Sequence, residues 1–119
     1  MRDFKRLVVW EKAHDLTLGI YQVTQSFLRS EMYGFVSQLR LAAGSIPANI
    51  AEGCGRNSEA ELARFLQIAA GSASEVEYDI LLARDLDFID PKKCNKLDSQ
   101  VNEVKKMLNA FLKKLRAND

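Results

Sequence analysis

Residues 97–115 read LDSQVNEVKKMLNAFLKKL, and their apolar side chains recur at alternating steps of four and three residues. Because an α-helix completes a turn every 3.6 residues, this spacing places the apolar side chains along one helical face. Asp90 and Pro91 precede the stretch, and proline is favoured in a first helical turn, where its missing N–H costs nothing. The sequence therefore predicts a long helix that begins at Asp90-Pro91. Its apolar stripe consists of Leu97, Val101, Val104, Leu108, Phe111 and Leu115.

Three earlier segments carry the same helical spacing of apolar residues. They run from about Val8 to Phe27, from about Glu31 to Cys54, and onward from Ser58. Ser58 and Glu61 have the spacing of a capping box, which is a common helix start. The glycines of Gly53-Cys54-Gly55 are expected to end the second helix with a left-handed cap.

Four such helices joined by short loops predict an all-α fold, an antiparallel up-down-up-down four-helix bundle. The 119 residues are 47% apolar and 28% charged, so we expect one domain over residues 1–119. This composition excludes collagen-like, disordered and disulfide-scaffold classes. No apolar stretch approaches the length of a membrane span, and no signal peptide is recognisable. We therefore expect a cytoplasmic protein without membrane contact, in which Cys54 and Cys94 are reduced.

Charge is distributed unevenly along the chain, although 17 basic and 16 acidic residues leave a net charge of only +1. Residues 61–90 carry a net charge of −5, and residues 91–119 carry +5. The favoured interpretation is that an acidic helix lies beside a basic helix and neutralises it. The alternative is a nucleic-acid contact surface on the fourth helix. Its candidate residues are Lys92, Lys93, Lys96, Lys105, Lys106, Lys113, Lys114 and Arg116.

Polar side chains form a seam along one sector of the second helix. Each can donate or accept hydrogen bonds, and the one acid and one base are four residues apart. The favoured interpretation is a hydrogen-bonded network that fixes helix or subunit register. The alternative is a ligand or nucleic-acid contact. The members of this polar seam are Gln38, Ser45, Asn49, Glu52 and Arg56.

Pro47 lies inside the same segment. A proline there removes the N–H that would reach the carbonyl of Ala43, so we expect a kink or a split near Gly44-Ser45. The freed carbonyl then needs another hydrogen-bond donor, for which Gln38 or a neighbouring chain is expected.

The third helix has a second stripe besides its core face, and the first helix has an aromatic side face. A monomeric bundle needs only one apolar stripe per helix, and soluble monomers seldom expose contiguous apolar patches. The surplus stripes therefore predict a homo-oligomer of unspecified size. The candidate interface residues are Trp10, His14 and Tyr21 on the first helix and Ile68, Gly71, Tyr78 and Leu82 on the third.

No pattern in the chain predicts catalysis. His14 is the only histidine, and it lies among aromatic residues without an evident partner to orient it as a general base. Two cysteines and one histidine cannot supply the four ligands of a zinc site, and no phosphate-binding loop follows a strand. We therefore expect no enzymatic activity, no metal and no cofactor.

The segment Ser45–Arg56, SIPANIAEGCGR, closely resembles the hallmark of small four-helix-bundle proteins encoded in intervening sequences of bacterial 23S ribosomal RNA genes. Other resembling stretches are Phe4–His14, Ser37–Arg40, Ala42-Ala43, Phe65–Ala69 and Gly71-Ser72. The resemblance implies homopentamers, with protomers side by side in a barrel, and no associated enzymatic activity. The family is also similar to the accessory protein of diversity-generating retroelements, which binds nucleic acid and a reverse transcriptase.

These observations together predict a non-enzymatic, self-assembling scaffold or binding module. Its expected partners are further copies of itself and RNA or an RNA-associated protein. The alternative is a purely structural homo-oligomer that does not bind nucleic acid and whose surface charge serves solubility.

Overall fold

A computed structural model describes residues 2–27 and 32–117 of the protein. Within these ranges a short 3-10 helix, Phe4–Arg6, precedes four α-helices, and there is no strand. The helices are α1 (Val8–Thr24), α2 (Tyr33–Cys54), α3 (Glu59–Asp85) and α4 (Pro91–Ala117). The prediction of an all-α four-helix bundle is confirmed. The first helix ends before its predicted limit at Phe27, and the predicted start of the second, Glu31, lies outside the described residues.

The helices pack as a ring in which each contacts two neighbours, in the order α1, α2, α3, α4 and back to α1. Consequently α2 and α4 lie diagonally opposite, without direct packing between their described residues. The apolar stripes of all four helices meet in one core, where Leu16, Ile46, Leu66 and Leu108 are fully buried. Neither these helices nor the described 3-10 helix is long and apolar enough to cross a membrane.

Local signals fix where α3 and α4 begin. The Ser58 hydroxyl oxygen accepts a hydrogen bond from the backbone N–H of Glu61 at 3.1 Å. The Asp90 carboxylate accepts one from the backbone N–H of Lys92 at 2.8 Å. Pro91, the residue after Asp90, occupies the first helical position. Both N-termini thus follow the predicted capping chemistry, since each side chain satisfies an N–H that has no partner inside its helix.

Of the kink or split expected near Gly44-Ser45, the kink stays a prediction and the split is not found, since Pro47 does not split α2, which continues from Tyr33 to Cys54. The reason is that the freed carbonyl of Ala43 receives a donor from α1. The Thr17 hydroxyl oxygen lies 3.0 Å from this carbonyl oxygen and 2.9 Å from that of Ala13, so its proton serves both. The donor is therefore neither Gln38 nor another chain, and the proline is tolerated because a neighbouring helix satisfies its backbone defect.

The glycines at the end of α2 serve close packing and not a left-handed cap. Gly55 is right-handed, with φ −81°, and no described glycine has a positive φ. A Cβ atom added at Gly53 would lie 2.9 Å from the Cβ of Phe65 and 3.0 Å from Cδ1 of Leu62. Gly53 therefore allows α2 and α3 to approach closely, and the prediction of a left-handed glycine is wrong.

Candidate functional site

The basic residues of α4 extend mostly into solvent. Seven of the eight predicted nucleic-acid contacts are exposed, and Lys105 alone is half-buried. Helical geometry places Lys92, Lys96, Lys106 and Lys113 opposite the core stripe of α4. We call the exposed side of α4 that carries these four lysines the lysine face.

Lys105 is engaged by the acidic helix. Its Nζ atom lies 2.7 Å from Oε1 of Glu77, and this hydrogen bond lowers the pKa of the Glu77 carboxyl. Among the described residues this is the one ion pair between α3 and α4. Glu103 on α4 pairs instead with Lys12 of α1, at 3.2 Å. Pairing between the acidic and basic helices is therefore local, and it does not reach the lysine face.

Three residues of the predicted polar seam link α2 to α3. Ser45 and Ser72 share a hydrogen bond of 2.9 Å between their hydroxyl oxygens. The Asn49 amide donates to the carbonyl and the hydroxyl oxygens of Ser45, at 2.7 and 2.9 Å. Two helical turns earlier along α2, Nε2 of Gln38 donates to Oδ1 of Asp79 at 3.3 Å.

The other two seam residues lie apart from this interface. Glu52 and Arg56 form an exposed ion pair of 2.8 Å within α2, and the Arg56 guanidinium covers the ring of Phe65 at 5.0 Å. The structure therefore divides the seam into an interhelical part and an exposed part. Within the described residues the Glu52 side chain is exposed and bonds only to Arg56, so a role for Glu52 in fixing subunit register stays a prediction.

Asp79 is the most unusual polar residue of the interface. Its side chain is fully buried (0% exposed), and its Oδ2 atom has no hydrogen-bond partner among the described residues. Burial raises the pKa of this carboxyl, the nearby Glu75 raises it further, and the Gln38 hydrogen bond lowers it. The sequence pattern contains the signal for this burial, since Asp79 follows Val76 by three residues and precedes Ala83 by four, as a core residue does.

The outer side of α2 is uncharged, and sequence reasoning did not identify it as an interface. Tyr33 and Leu41 are 77% and 74% exposed, and helical geometry places Gly44 and Ala48 on the same side. Between residues 32 and 51 the single charged residue is Arg40. Its guanidinium folds back over the Tyr21 ring at 4.5 Å and donates to Thr24. We call the side carrying Tyr33, Leu41, Gly44 and Ala48 the α2 outer face.

The predicted interface residues flank this face on both neighbouring helices. On α1, Trp10 and His14 stack with ring centroids 5.0 Å apart, while His14 and Tyr21 are exposed. On α3, Ile68, Gly71 and Tyr78 are exposed, and Leu82 is half-buried. Helical geometry turns Tyr21, Ile68 and Leu82 toward the α2 side of their own helices. Gly71 points outward, and Tyr78 borders the groove between α3 and α4 together with Asn95 of α4. The structure thus brings part of the two predicted patches beside α2.

Cysteine and acidic side chains do not assemble into a metal site in the described ranges. No group of three or more His, Cys, Asp or Glu residues lies close enough there to hold a metal ion. Both cysteines are free and buried, and burial raises the pKa of each thiol.

Comparison with known proteins identifies the family. Residues 5–110 match the family model described as 23S rRNA-intervening sequence protein. The fold is similar to the crystal structure of a protein of unknown function from the S23 ribosomal protein family of Bacteroides thetaiotaomicron, with a TM-score of 0.83 and 24% identity, covering 89% of this chain and 99% of that one. A search of curated proteins found no significant match. Because the family model spans most of the chain, the protein belongs to the 23S rRNA-intervening sequence protein family.

Proposed function

We propose that the protein is a non-enzymatic, cytoplasmic module that assembles through the α2 outer face and binds RNA, alone or with an RNA-associated protein, through the lysine face. The observation that carries this proposal is the diagonal arrangement of the two faces. One face has no charge, as the centre of a protein–protein interface requires, and the opposite one is basic. A contact on the α2 outer face therefore does not itself cover the lysine face of the same protomer.

Self-assembly is supported by glycines that nothing within the chain explains. A glycine inside a helix costs about 0.5–1 kcal/mol relative to alanine. Yet a Cβ atom added at Gly44 or Gly71 would meet no described atom within 4 Å. A neighbouring helix that approaches closely would account for both positions. Together with exposed Leu41 and Tyr78, they support a homo-oligomer, for which the family resemblance suggests a pentamer.

RNA binding is supported by repetition of the lysine face around such an oligomer. One protomer with a net charge of +1 is expected to bind RNA weakly. Several copies held in fixed positions contact one RNA together, which raises the apparent affinity without a stronger single site. Because lysines at the surface release counterions on contact with phosphates, this binding should weaken steeply as salt rises.

The first test measures anisotropy of a labelled single-stranded RNA at low ionic strength. Replacing Lys106 and Lys113 together by Glu should abolish binding that the wild type shows at micromolar protein. The matched control, Arg64→Glu with Arg84→Glu, makes the same charge change on α3 and should retain most of the binding. Lys105 is left intact, because its change would break the pair with Glu77. Absence of wild-type binding, or equal loss in both variants, would contradict RNA binding through α4.

The second test measures oligomer mass by light scattering. Leu41→Glu and Tyr78→Glu should each dissociate the oligomer while far-UV circular dichroism keeps its helical signal. Val8→Glu is the control, since Val8 is 56% exposed in the groove between α1 and α4, away from the α2 outer face. A wild type that is monomeric at tens of micromolar would reject self-assembly. An intact oligomer without RNA binding would instead support the purely structural alternative.

A further inference from the structure

We propose that the seam between α1 and α4 is a track for single-stranded RNA, with a groove for bases near each end and cations along its rim. This inference rests on the proposed RNA binding and adds where the bases lie. The seam is separate from the α2 outer face, because α4 is diagonal to α2. It stays accessible when that face is covered.

The first groove lies between the middle of α1 and the start of α4 and has a volume of about 350 Å³. A Cβ atom at Gly19 would touch Leu97 at 3.4 Å, so the missing side chain at this position leaves the floor open. The amides of Gln22 and Gln100 line the groove and make no hydrogen bond to the described residues. Each amide offers both a donor and an acceptor, which is the chemistry that reads the edge of an unpaired base.

The rim of the first groove has the charge that a nucleotide requires. Lys93 and Lys96 border it, against a single acid, Asp15. Two ammonium groups beside two neutral amides suit a ligand that is anionic at its backbone and polar but uncharged at its base. An apolar peptide would leave the amides and lysines without partners.

The second groove lies between the start of α1 and the end of α4 and has a volume of about 370 Å³. Its lining is mostly apolar, with Val8, Ala110 and Phe111. Lys114 supplies positive charge together with Arg2, which also forms an exposed ion pair with Glu59. The Arg2 guanidinium already lies over the Phe111 ring, 5.5 Å from its centroid. An aromatic ring with a guanidinium beside it is a stacking site that accepts any base.

The two grooves lie in line along one helix pair. Lys96 and Phe111 are separated on α4 by about 22 Å, from the helical rise of 1.5 Å per residue. Between them, Glu103 is neutralised by Lys12, so no unpaired acid of α4 interrupts the track. Lys12, beside Glu103, is a cation between the two grooves, whereas Lys106 faces away from α1. One extended strand laid along the seam therefore meets base sites at both ends and the Lys12–Glu103 pair between them.

The test compares a short labelled oligouridylate with an abasic oligonucleotide of the same length and charge. If bases enter the grooves, the abasic strand should bind about 5-fold to 150-fold more weakly, the range expected for loss of one stacked base. Gln22→Ala with Gln100→Ala should remove part of this preference and leave the salt dependence unchanged, because no charge is altered. Gln67→Ala, an exposed glutamine on α3, is the matched control.

The outcomes separate this inference from the proposed function. Equal binding of both strands, or no effect of the glutamine variants, would overturn the base grooves and leave electrostatic RNA binding through α4 standing. No binding of either strand would overturn both. Displacement of the RNA by polyglutamate as effectively as by unlabelled RNA would identify a general polyanion surface and would also overturn the base grooves.

Discussion

Replacing Asp79 by Asn should stabilise the protein at neutral pH. The amide keeps an oxygen that can accept the Gln38 hydrogen bond, now 3.3 Å long, and exchanges the unpartnered carboxylate oxygen for a neutral group. An unsatisfied polar atom in a protein interior costs about 1–3 kcal/mol, and a charged one costs more. We therefore expect the free energy of unfolding to rise by about 1–3 kcal/mol at pH 7, the difference between burying a charge and burying a neutral amide.

The pH dependence supplies the stricter check. Burial raises the pKa of folded Asp79 above its ordinary value of 3.8, so folding and protonation favour each other. Below pH 3.8 the carboxyl is protonated in both the folded and the unfolded chain, and no charge is buried. As pH rises through the folded pKa, the wild type loses stability, and above that pKa the loss is complete. The advantage of Asp79→Asn should thus be smallest in acid and largest at neutral pH.

Urea unfolding followed by circular dichroism measures this difference, with both proteins at one fixed concentration because the proposed oligomer would make stability depend on concentration. Carboxyls distant from Asp79 cancel in this difference, so it reports Asp79 together with its neighbour Glu75. Asp98→Asn, an exposed substitution on α4, is the control and should leave the free energy within about 0.5 kcal/mol at every pH. A variant that is less stable than the wild type by the same amount at all pH values would refute the reasoning.

Three further substitutions test the helix contacts, each by urea unfolding. Thr17→Val removes the donor to Ala43 and should cost about 1–3 kcal/mol, whereas Thr17→Ser keeps the hydroxyl and should cost less; equal losses would contradict the hydrogen bond. Gly53→Ala should destabilise the protein despite the higher helix propensity of alanine, because its Cβ would meet Phe65, and a gain in stability would disprove the close contact. Glu52→Ala should cost only about 0.3–0.5 kcal/mol, as for an exposed pair, and a loss above 1 kcal/mol would place Glu52 in the network after all.

The sequence predicts the helices well because apolar spacing and capping residues act locally. Ser58 and Asp90 cap the helices they precede, and their signals need no knowledge of tertiary structure. The donors expected for the Ala43 carbonyl were wrong because this contact is not local in the sequence. The donor that rescues Ala43 comes from Thr17, which is 26 residues away, and no local pattern links them.

The candidate surfaces were only partly predictable for a related reason. The spacing of residues on α1 and α3 identified Tyr21 and Tyr78 as aromatic side chains outside the core faces. Such spacing shows which side chains share a face of one helix, but not which helices lie beside that face. Leu41 on α2 was overlooked because its exposure depends on which sides α1 and α3 cover. The useful signal was the absence of charge around it: from residue 32 to 51 only Arg40 is charged, which is unusual for a helix with a solvent side.

The arrangement of the helices also explains why a net charge of +1 is a poor guide to what the protein binds. The bundle measures 48 × 21 × 20 Å, so a partner on α4 is about two Debye lengths from the opposite side at physiological salt, where that length is about 8 Å. Charges on the far side are largely screened at that distance. An anionic partner on α4 would therefore respond to Lys106 and Lys113 nearby, while charges on α2, the diagonal helix, contribute little. The local field of each face, and not the sum over the chain, decides which molecules bind there.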